Sequence, residues 1–348
     1  MKTKTLVIYH DFDLDGWCCR YLLEKIYSGN ALYEGYNYGN PSLDGKKLAS
    51  EDWWLKFNCD DYIFADITPT DYFIDKIIES NKNGIKKNIY IFDHHISRYN
   101  SIIEKYGEYI NTSDDCIIKY YFDNNYSGCK IIQNCVLSTF IEKMEYKKYP
   151  KFPEIFYSNY SKNYFQQTKW NQLINFIDSY DTWKFDSIED QTEKLNILGF
   201  VYYLYSIVNN YIKFKIEIDK INDCTKSFLE YCETGKSIIN QIQIENNKLI
   251  SLGRIQEIND NKFYLVGTYP NYFLGNQIQK SFDVDGYIGY QIDLKSNNVK
   301  LSIRTFNDVD ASEIAKFFNQ NGGGHKKAAG ATISIERFFE FLTIMLIK

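Results

Sequence analysis

Three stretches near the start of the chain share one pattern: a short, nearly continuous apolar run that leads straight into acids. TLVIY (residues 5–9) runs into His10, Asp11, Asp13 and Asp15; DYIFA (61–65) runs into Asp66; NIYIF (88–92) runs into Asp93, His94 and His95. Such runs suit strands buried on both faces of a parallel sheet. Between them WCCRYLLEKIYS and DYFIDKIIESNKNG read as helices, the second closing at Gly84 with lysines beside it. Alternating strands and helices predict a doubly wound α/β sheet. The carboxyl ends of its strands form one edge, so acids far apart in sequence are predicted to meet there.

Further along, residues 218–250 are polar and periodic and predict a long connecting helix or helix pair, broken at Gly235. Beyond residue 251, YLVGTY, GYIGYQIDL and the alternating VKLSIRTF predict strands of a smaller α/β domain, and ASEIAKFF (311–318) an amphipathic helix. The expected division is a larger domain over 1–205, a helical linker over 206–250 and a smaller domain over 251–348, with any ligand expected in the cleft between the two lobes. Residues 145–170 match no motif and are expected to be an insertion that shapes substrate choice.

Composition narrows the function. The 348 residues are 44% hydrophobic and 24% charged, as in ordinary globular proteins. A net charge of -5 argues against coating long nucleic acid by phosphate neutralisation, but leaves small anionic ligands open. The 31 tyrosines fit codon bias in an AT-rich genome better than a set of stacking platforms. Eight cysteines without a C-x-x-C pair indicate neither structural zinc nor a disulfide framework. With no signal peptide and no spanning run, the expectation is a soluble cytoplasmic chain without a membrane partner.

The aspartates at 11, 13 and 15, closed by Gly16, imitate a calcium loop. That loop needs a glutamate at its twelfth position, which is Leu22 here, and a helix where TLVIY predicts a strand. Singly, an aspartate after a strand is often only a helix N-cap. About six carboxylates and imidazoles at one edge, however, would repel or desolvate badly without cations. Hard carboxylates mixed with imidazole suit manganese or a similar ion, and the cluster reads as binuclear. Near the other end Gly322, Gly323 and Gly324 follow a helix and precede His325, Lys326 and Lys327. A glycine run there often only caps the helix. With these cations next to it, it reads as a place where backbone N–H groups reach an anion. Arg304, in an alternating strand, could fork onto a phosphate.

Together these motifs resemble the DHH phosphoesterase superfamily over nearly the whole chain. DFDLDG (11–16) is similar to its first motif, Asp66 to its second, and Asp93-His94-His95 to its signature. In FIDSYDTWKF, Asp181-Thr182 rather than Asp178 has the pattern of the fourth, and NGGGHKKAAG (321–330) resembles the DHH-associated domain. The resemblance implies two divalent cations, manganese first and magnesium or cobalt as alternatives, bridged by Asp66. His10 or Asp11 with Asp13 would hold one; Asp15, His94 and Asp181 would hold the other. It further implies that Asp93 orients its neighbours, that His95 stabilises charge on the phosphate, and that Arg304, Gly322, Gly323, Gly324 and His325 bind substrate. The expected activity is hydrolysis of short oligonucleotides or cyclic dinucleotides. A RecJ-like exonuclease, a bisphosphorylated-nucleoside phosphatase or a non-hydrolysing nucleotide sensor are the alternatives. No membrane or sensory segment precedes the first motif and only a short tail follows residue 330, which favours a compact enzyme. Stable binding of long nucleic acid is not expected, and a homodimer stays open.

Overall fold

The computed structural model describes residues 5–27, 29–36, 55–110, 117–138, 168–223, 227–268 and 271–344, apart from the side chains of residues 97, 137, 138, 168, 324, 325 and 344. The stretch expected as an insertion lies outside the described residues up to 167. The chain divides into two compact units, Met1–Lys236 and Ser237–Lys348.

The first unit is built on five parallel strands, β1 (Thr5–His10), β2 (Ala31–Tyr36), β3 (Asp61–Ala65), β4 (Asn88–Asp93) and β5 (Ile118–Phe122), in the order β2-β1-β3-β4-β5. Side chains of a strand alternate between faces, and each face here has its own core. Val7, Tyr9, Ile63, Ala65 and Phe92 point into one apolar cluster, while Leu6, Ile8, Tyr62, Phe64, Ile89 and Ile91 point into the other. This two-sided burial is why β1, β3 and β4 read as continuous apolar runs. The edge strands β2 and β5 escaped the sequence pattern, because β2 is mostly half-exposed and β5 (IKYYF) is interrupted by Lys119. Helices α1 (Leu14–Tyr27), α2 (Asp71–Lys82), α3 (Ile96–Tyr106) and α4 (Gly128–Ser138) follow β1, β3, β4 and β5. Strands β2 and β3 leave β1 on opposite sides, so the order reverses beside β1, the usual place for a ligand crevice.

Helices α5 (Thr168–Asp181), α6 (Gln191–Ile207), α7 (Tyr211–Asp223) and α8 (Phe228–Ile250) complete this part of the chain, and the division between units falls inside α8. Gly235 does not break the helix, contrary to expectation. It lies within continuous α8 because the backbone of α6 presses against it: a Cβ on Gly235 would come within 1.6 Å of the Gly199 carbonyl oxygen, and one on Gly199 within 2.4 Å of that of Cys232.

The second unit is a six-stranded sheet, β6 (Arg254–Ile258), β7 (Asn261–Val266), β8 (Gly286–Asp293), β9 (Asn298–Thr305), β10 (Gly323–His325) and β11 (Ala328–Ser334), ordered β10-β11-β9-β8-β7-β6. All pairs are antiparallel except β7–β8. Alternation along β9 sends Val299, Leu301 and Ile303 into a core with α10 (Ala311–Phe318) and α11 (Ile335–Ile344), while Lys300, Ser302 and Arg304 take the other face. A further helix, α9 (Tyr272–Ser281), packs Leu274 and Ile278 beside Tyr264, Val266 and Tyr287. The glycine run is not a simple loop: Gly323 and Gly324 belong to the edge strand β10, paired with Gly330 and Ala329.

The helix contact yields a prediction of sign. Helix propensity alone would make Gly235→Ala stabilising by about 1 kcal/mol. Backbone overlap with Gly199 instead predicts a loss of roughly 1–3 kcal/mol, seen as a lower unfolding temperature; a rise would show that α6 and α8 do not pack so closely.

Candidate metal centre

The carboxyl ends of β1, β3 and β4 bring the predicted acids and imidazoles together. His10 closes β1, and its Nδ1 lies 3.0 Å from Asp13 Oδ2 and 3.3 Å from Asp66 Oδ2. Asp13 is fixed where α1 begins, its Oδ1 accepting from the Gly16 amide at 3.0 Å. Only glycine fits at 16, since a Cβ would stand 1.9 Å from the His10 carbonyl oxygen. The first turn of α1 is thereby pressed onto the end of β1. Asp15, one residue before, is buried, and its two oxygens accept the Gly128 and Cys129 amides at 2.7 and 2.9 Å. These are the first N–H groups of α4, an end that favours negative charge.

Asp66 follows β3 with a left-handed backbone (φ 58), a conformation that is uncommon outside glycine and that clusters at functional positions. Its amide donates to the Phe92 carbonyl at 2.8 Å. Its carboxylate spans two groups: Oδ2 faces His10, while Oδ1 stands 3.3 Å from His94 Nε2. The same His94 nitrogen is 3.2 Å from Asp181 Oδ2, at the last residue of α5. Asp93 ends β4 fully buried; its Oδ1 meets the His95 Nδ1 at 2.6 Å and accepts the His94 amide at 2.8 Å, and its Oδ2 accepts the Thr68 hydroxyl. Three groupings therefore have ligand atoms close enough to share an ion: His10, Asp13 and Asp66; Asp15, His94 and Asp181; and Asp66, Asp93, His94 and His95.

Two expected alternatives are separated by these contacts. Asp11 points away from the cluster, its Oδ1 accepting from Trp17 Nε1 at 2.8 Å and its carboxylate packed against Gly35. Asp178 is engaged by the Ser127 amide at 2.7 Å and by Lys184 Nζ at 2.8 Å. In the second unit Arg304 and Gly323 line one cavity of about 670 Å³ together with Lys300, Ser302, Asn319 and Asn321. Gly322 lies against α10, where a Cβ would meet the Ala315 carbonyl at 2.5 Å. Gly324 and His325 are placed in β10, but the side chain of His325 lies outside the described residues.

Electrostatics state what the cluster lacks. Burial alone would lower the His10 and His94 pKa values. The Asp13 and Asp66 carboxylates outweigh it for His10, pushed up to about 11, and Asp66, with Asp181 and Asp15, outweighs it for His94, pushed up to about 10. Asp15 rises to about 7 through burial and the neighbouring Asp66, and Asp181 rises through burial and the charges of Asp15 and Asp66. Asp66 is held below the usual carboxylate range, since His10 and His94 overcome its burial. Protons thus supply the positive charge these carboxylates need when nothing else does. Two buried oxygens, Asp66 Oδ1 and Asp181 Oδ2, still accept no hydrogen bond although His94 Nε2 is near both. Oxygen and imidazole donors crowded in this way, with acceptors left unsatisfied, fit divalent cations.

A family model of the DHHA1 domain matches residues 276–346. The fold is that of the exonuclease RecJ bound to manganese, at a TM-score of 0.51, 12% identity and coverage of 98% of this chain and 89% of that one. Residues 276–346 are thus a DHHA1 domain, and over the rest of the chain the likeness is one of fold. Two further solved structures are similar to this chain. The pGpG-specific phosphodiesterase PggH from Vibrio cholerae gives a TM-score of 0.49 at 14% identity, covering 99% of this chain and 98% of that one. An exopolyphosphatase-related protein from Bacteroides fragilis gives 0.47 at 13% identity, covering 99% and 92%. No protein of curated function matches by sequence.

Sequence reasoning missed the groups that hold the cluster in place: the amides of Gly128 and Cys129 under Asp15, and the Thr68 hydroxyl, itself 3.1 Å from Tyr120, against Asp93. Ser127-Gly128 before an apolar run does signal a helix start. Nothing local says that its N–H groups will meet an aspartate more than a hundred residues earlier.

The protein is expected to unfold at higher temperature with Mn²⁺ than with chelator. At free cation 100-fold above Kd, linkage gives about 2.7 kcal/mol. Asp66→Asn should lose most of this gain in thermal unfolding, and an undiminished gain would mean that the cation binds elsewhere.

Proposed function

We propose that this protein is a member of the DHH phosphoesterase superfamily and a divalent-metal-dependent phosphodiesterase that cuts short oligonucleotides or cyclic dinucleotides. The observation that carries the reading is the buried Asp66 carboxylate, with one oxygen towards His10 and Asp13 and the other towards His94 and, through it, Asp181. In this reading His10, Asp13 and Asp66 hold one cation, and Asp15, Asp66, His94 and Asp181 hold a second. Manganese is the first choice, with magnesium or cobalt as alternatives. Bound there, the cations would stabilise charge on phosphoryl oxygens and acidify the attacking water.

The remaining roles belong to the protein's own groups. Asp93 holds the half-exposed His95 through Nδ1, which would leave the other ring nitrogen for substrate. An imidazolium fixed in this way donates to a phosphoryl oxygen as its negative charge grows, and needs no reorganisation to do so. Asp93 is a positioning residue, tied on its far side to Thr68. Residues 1–205 would carry the chemistry and 251–348 would hold the substrate, joined by the helical stretch 206–250. Arg304, Gly322, Gly323, Gly324 and His325 would grip the nucleotide that does not react. A cavity of about 670 Å³ lined by Lys300 and Arg304, and by no acid, supports an anionic occupant of nucleotide size. The net charge of -5 supports a short one.

The decisive experiment is kinetics over a length ladder in Mn²⁺ at two salt concentrations. Two- to five-nucleotide strands or cyclic dinucleotides should give higher kcat/KM than a long single strand, with weak salt dependence. Efficiency that climbs with length and collapses with salt would instead mark a RecJ-like exonuclease, and binding without cleavage a sensor.

Side-chain roles are tested by graded losses. Asp66→Ala removes a ligand of both ions, worth several kcal/mol, so kcat should fall roughly 10³-fold. Asp93→Asn should lose about 10–100-fold, as expected for a group that acts through another. Arg304→Ala and His325→Ala should raise KM while metal stoichiometry, measured by elemental analysis, stays unchanged. Loss of metal from either variant would overturn the division of roles.

A further inference from the structure

The two most exposed aromatic side chains among the described residues are Phe12, at 65%, and Trp183, at 61%. Scattered exposed apolar residues need no explanation, but these two are not scattered. Phe12 lies between Asp11 and Asp13, with its ring centroid 6.0 Å from that of His10. Trp183 stands two residues beyond Asp181. The two segments meet at one site: His10 Nδ1 lies 3.0 Å from Asp13 and 3.3 Å from Asp66, and His94 Nε2 lies 3.3 Å from Asp66 and 3.2 Å from Asp181.

The backbone under Trp183 adds to this. Helix α5 closes with Thr182 donating to the Asp178 carbonyl at 3.0 Å and Trp183 to that of Tyr180 at 3.2 Å. Trp183 then adopts a left-handed conformation, φ 60 and ψ 13. Helices usually place glycine or asparagine at such a position. A bulky residue there is an outlier, and here it turns an indole towards solvent instead of into the core.

We propose that Trp183 and Phe12 are the base-stacking residues of this site, each offering an aromatic face to a nucleobase beside the phosphodiester. The inference rests on the phosphodiesterase reading above. It also assigns the substrate a class: nucleotides with their bases present, taken with little preference among bases, because every base has a π-face.

The left-handed backbone provides a clean test, since Trp183→Gly removes the indole while keeping a residue suited to φ 60. Its unfolding temperature should equal or exceed that of the native chain. Its KM for a dinucleotide should rise about 5- to 150-fold, the measured range for losing one base stack. Phe12→Ala should lose a comparable factor, and Trp183→Tyr should restore most of the affinity. An abasic dinucleotide should be handled alike by the native chain and Trp183→Gly. Independently of turnover, a nucleoside 5′-monophosphate in Mg²⁺ should quench tryptophan fluorescence in the native chain and not in Trp183→Tyr. Unchanged KM in both Trp183→Gly and Phe12→Ala, with cation-dependent cleavage intact, overturns the stacking inference and leaves the phosphodiesterase reading standing. Absence of both cleavage and quenching overturns the two together. Quenching that depends on Trp183 without any cleavage keeps the stacking and removes only the hydrolysis.

Discussion

Burying several carboxylates at one sheet edge is costly, and the first unit is organised around answering that cost. Asp15 and Asp66 are almost fully enclosed, and Asp13 and Asp181 crowd the same edge through His10 and His94. Charges packed this closely in a low-dielectric site are tolerated only when opposite charge or donors reach every oxygen. Without cations, neighbouring carboxylates favour the protonated forms of His10 and His94, which answers part of the demand, and the amides at the head of α4 answer the part belonging to Asp15. What is left over, Asp66 Oδ1 and Asp181 Oδ2, is where divalent cations fit best.

That arrangement depends on how tightly the surrounding elements are set. Gly16 lets α1 begin directly on the end of β1, so the Asp13 and Asp15 side chains start from positions fixed by the sheet. Gly128 lets α4 approach closely as well, since a Cβ there would lie 3.0 Å from the Asp66 Cβ and 3.1 Å from Asp15 Oδ2. The left-handed turn at Asp66 is held by the hydrogen bond its amide donates to the Phe92 carbonyl, across to the neighbouring strand. Strain at Asp66 is thus carried by a sheet packed on both faces, which is how such conformations persist.

The second unit solves a different problem. Alternation along β9 commits one face to the core and leaves Lys300, Ser302 and Arg304 on the other, across from Gly289 and Gly330 in the neighbouring strands. Small residues at that level keep the sheet surface low between two cations, and the cavity follows from it. An anion there meets no acidic lining, in contrast with the acid-rich edge of the first unit. The cavity and the strand edge therefore present opposite charge although the chain as a whole is only mildly acidic.

Much of this was legible in the sequence because it is local or periodic. Continuous apolar runs announced β1, β3 and β4, their fixed direction in a parallel sheet announced a shared edge, and the acids followed those runs immediately. ASEIAKFF announced α10 with its bounds, since its amphipathic period and the capping Asp310 lie within a few residues. What the sequence could not supply was anything set by contact between distant segments. Whether His10 or Asp11 turns towards Asp66 depends on Trp17 and Gly35 drawing Asp11 the other way. The amides that hold Asp15 come from the head of α4, and the role of Gly235 depends on the backbone of α6. Edge strand β2 likewise is buried on neither face and is defined by the neighbour it pairs with. Residue type and spacing decided which groups could gather, and three-dimensional packing decided which of them face one another, because hydrogen-bond partners and close approaches depend on distance in space and leave no period in the chain.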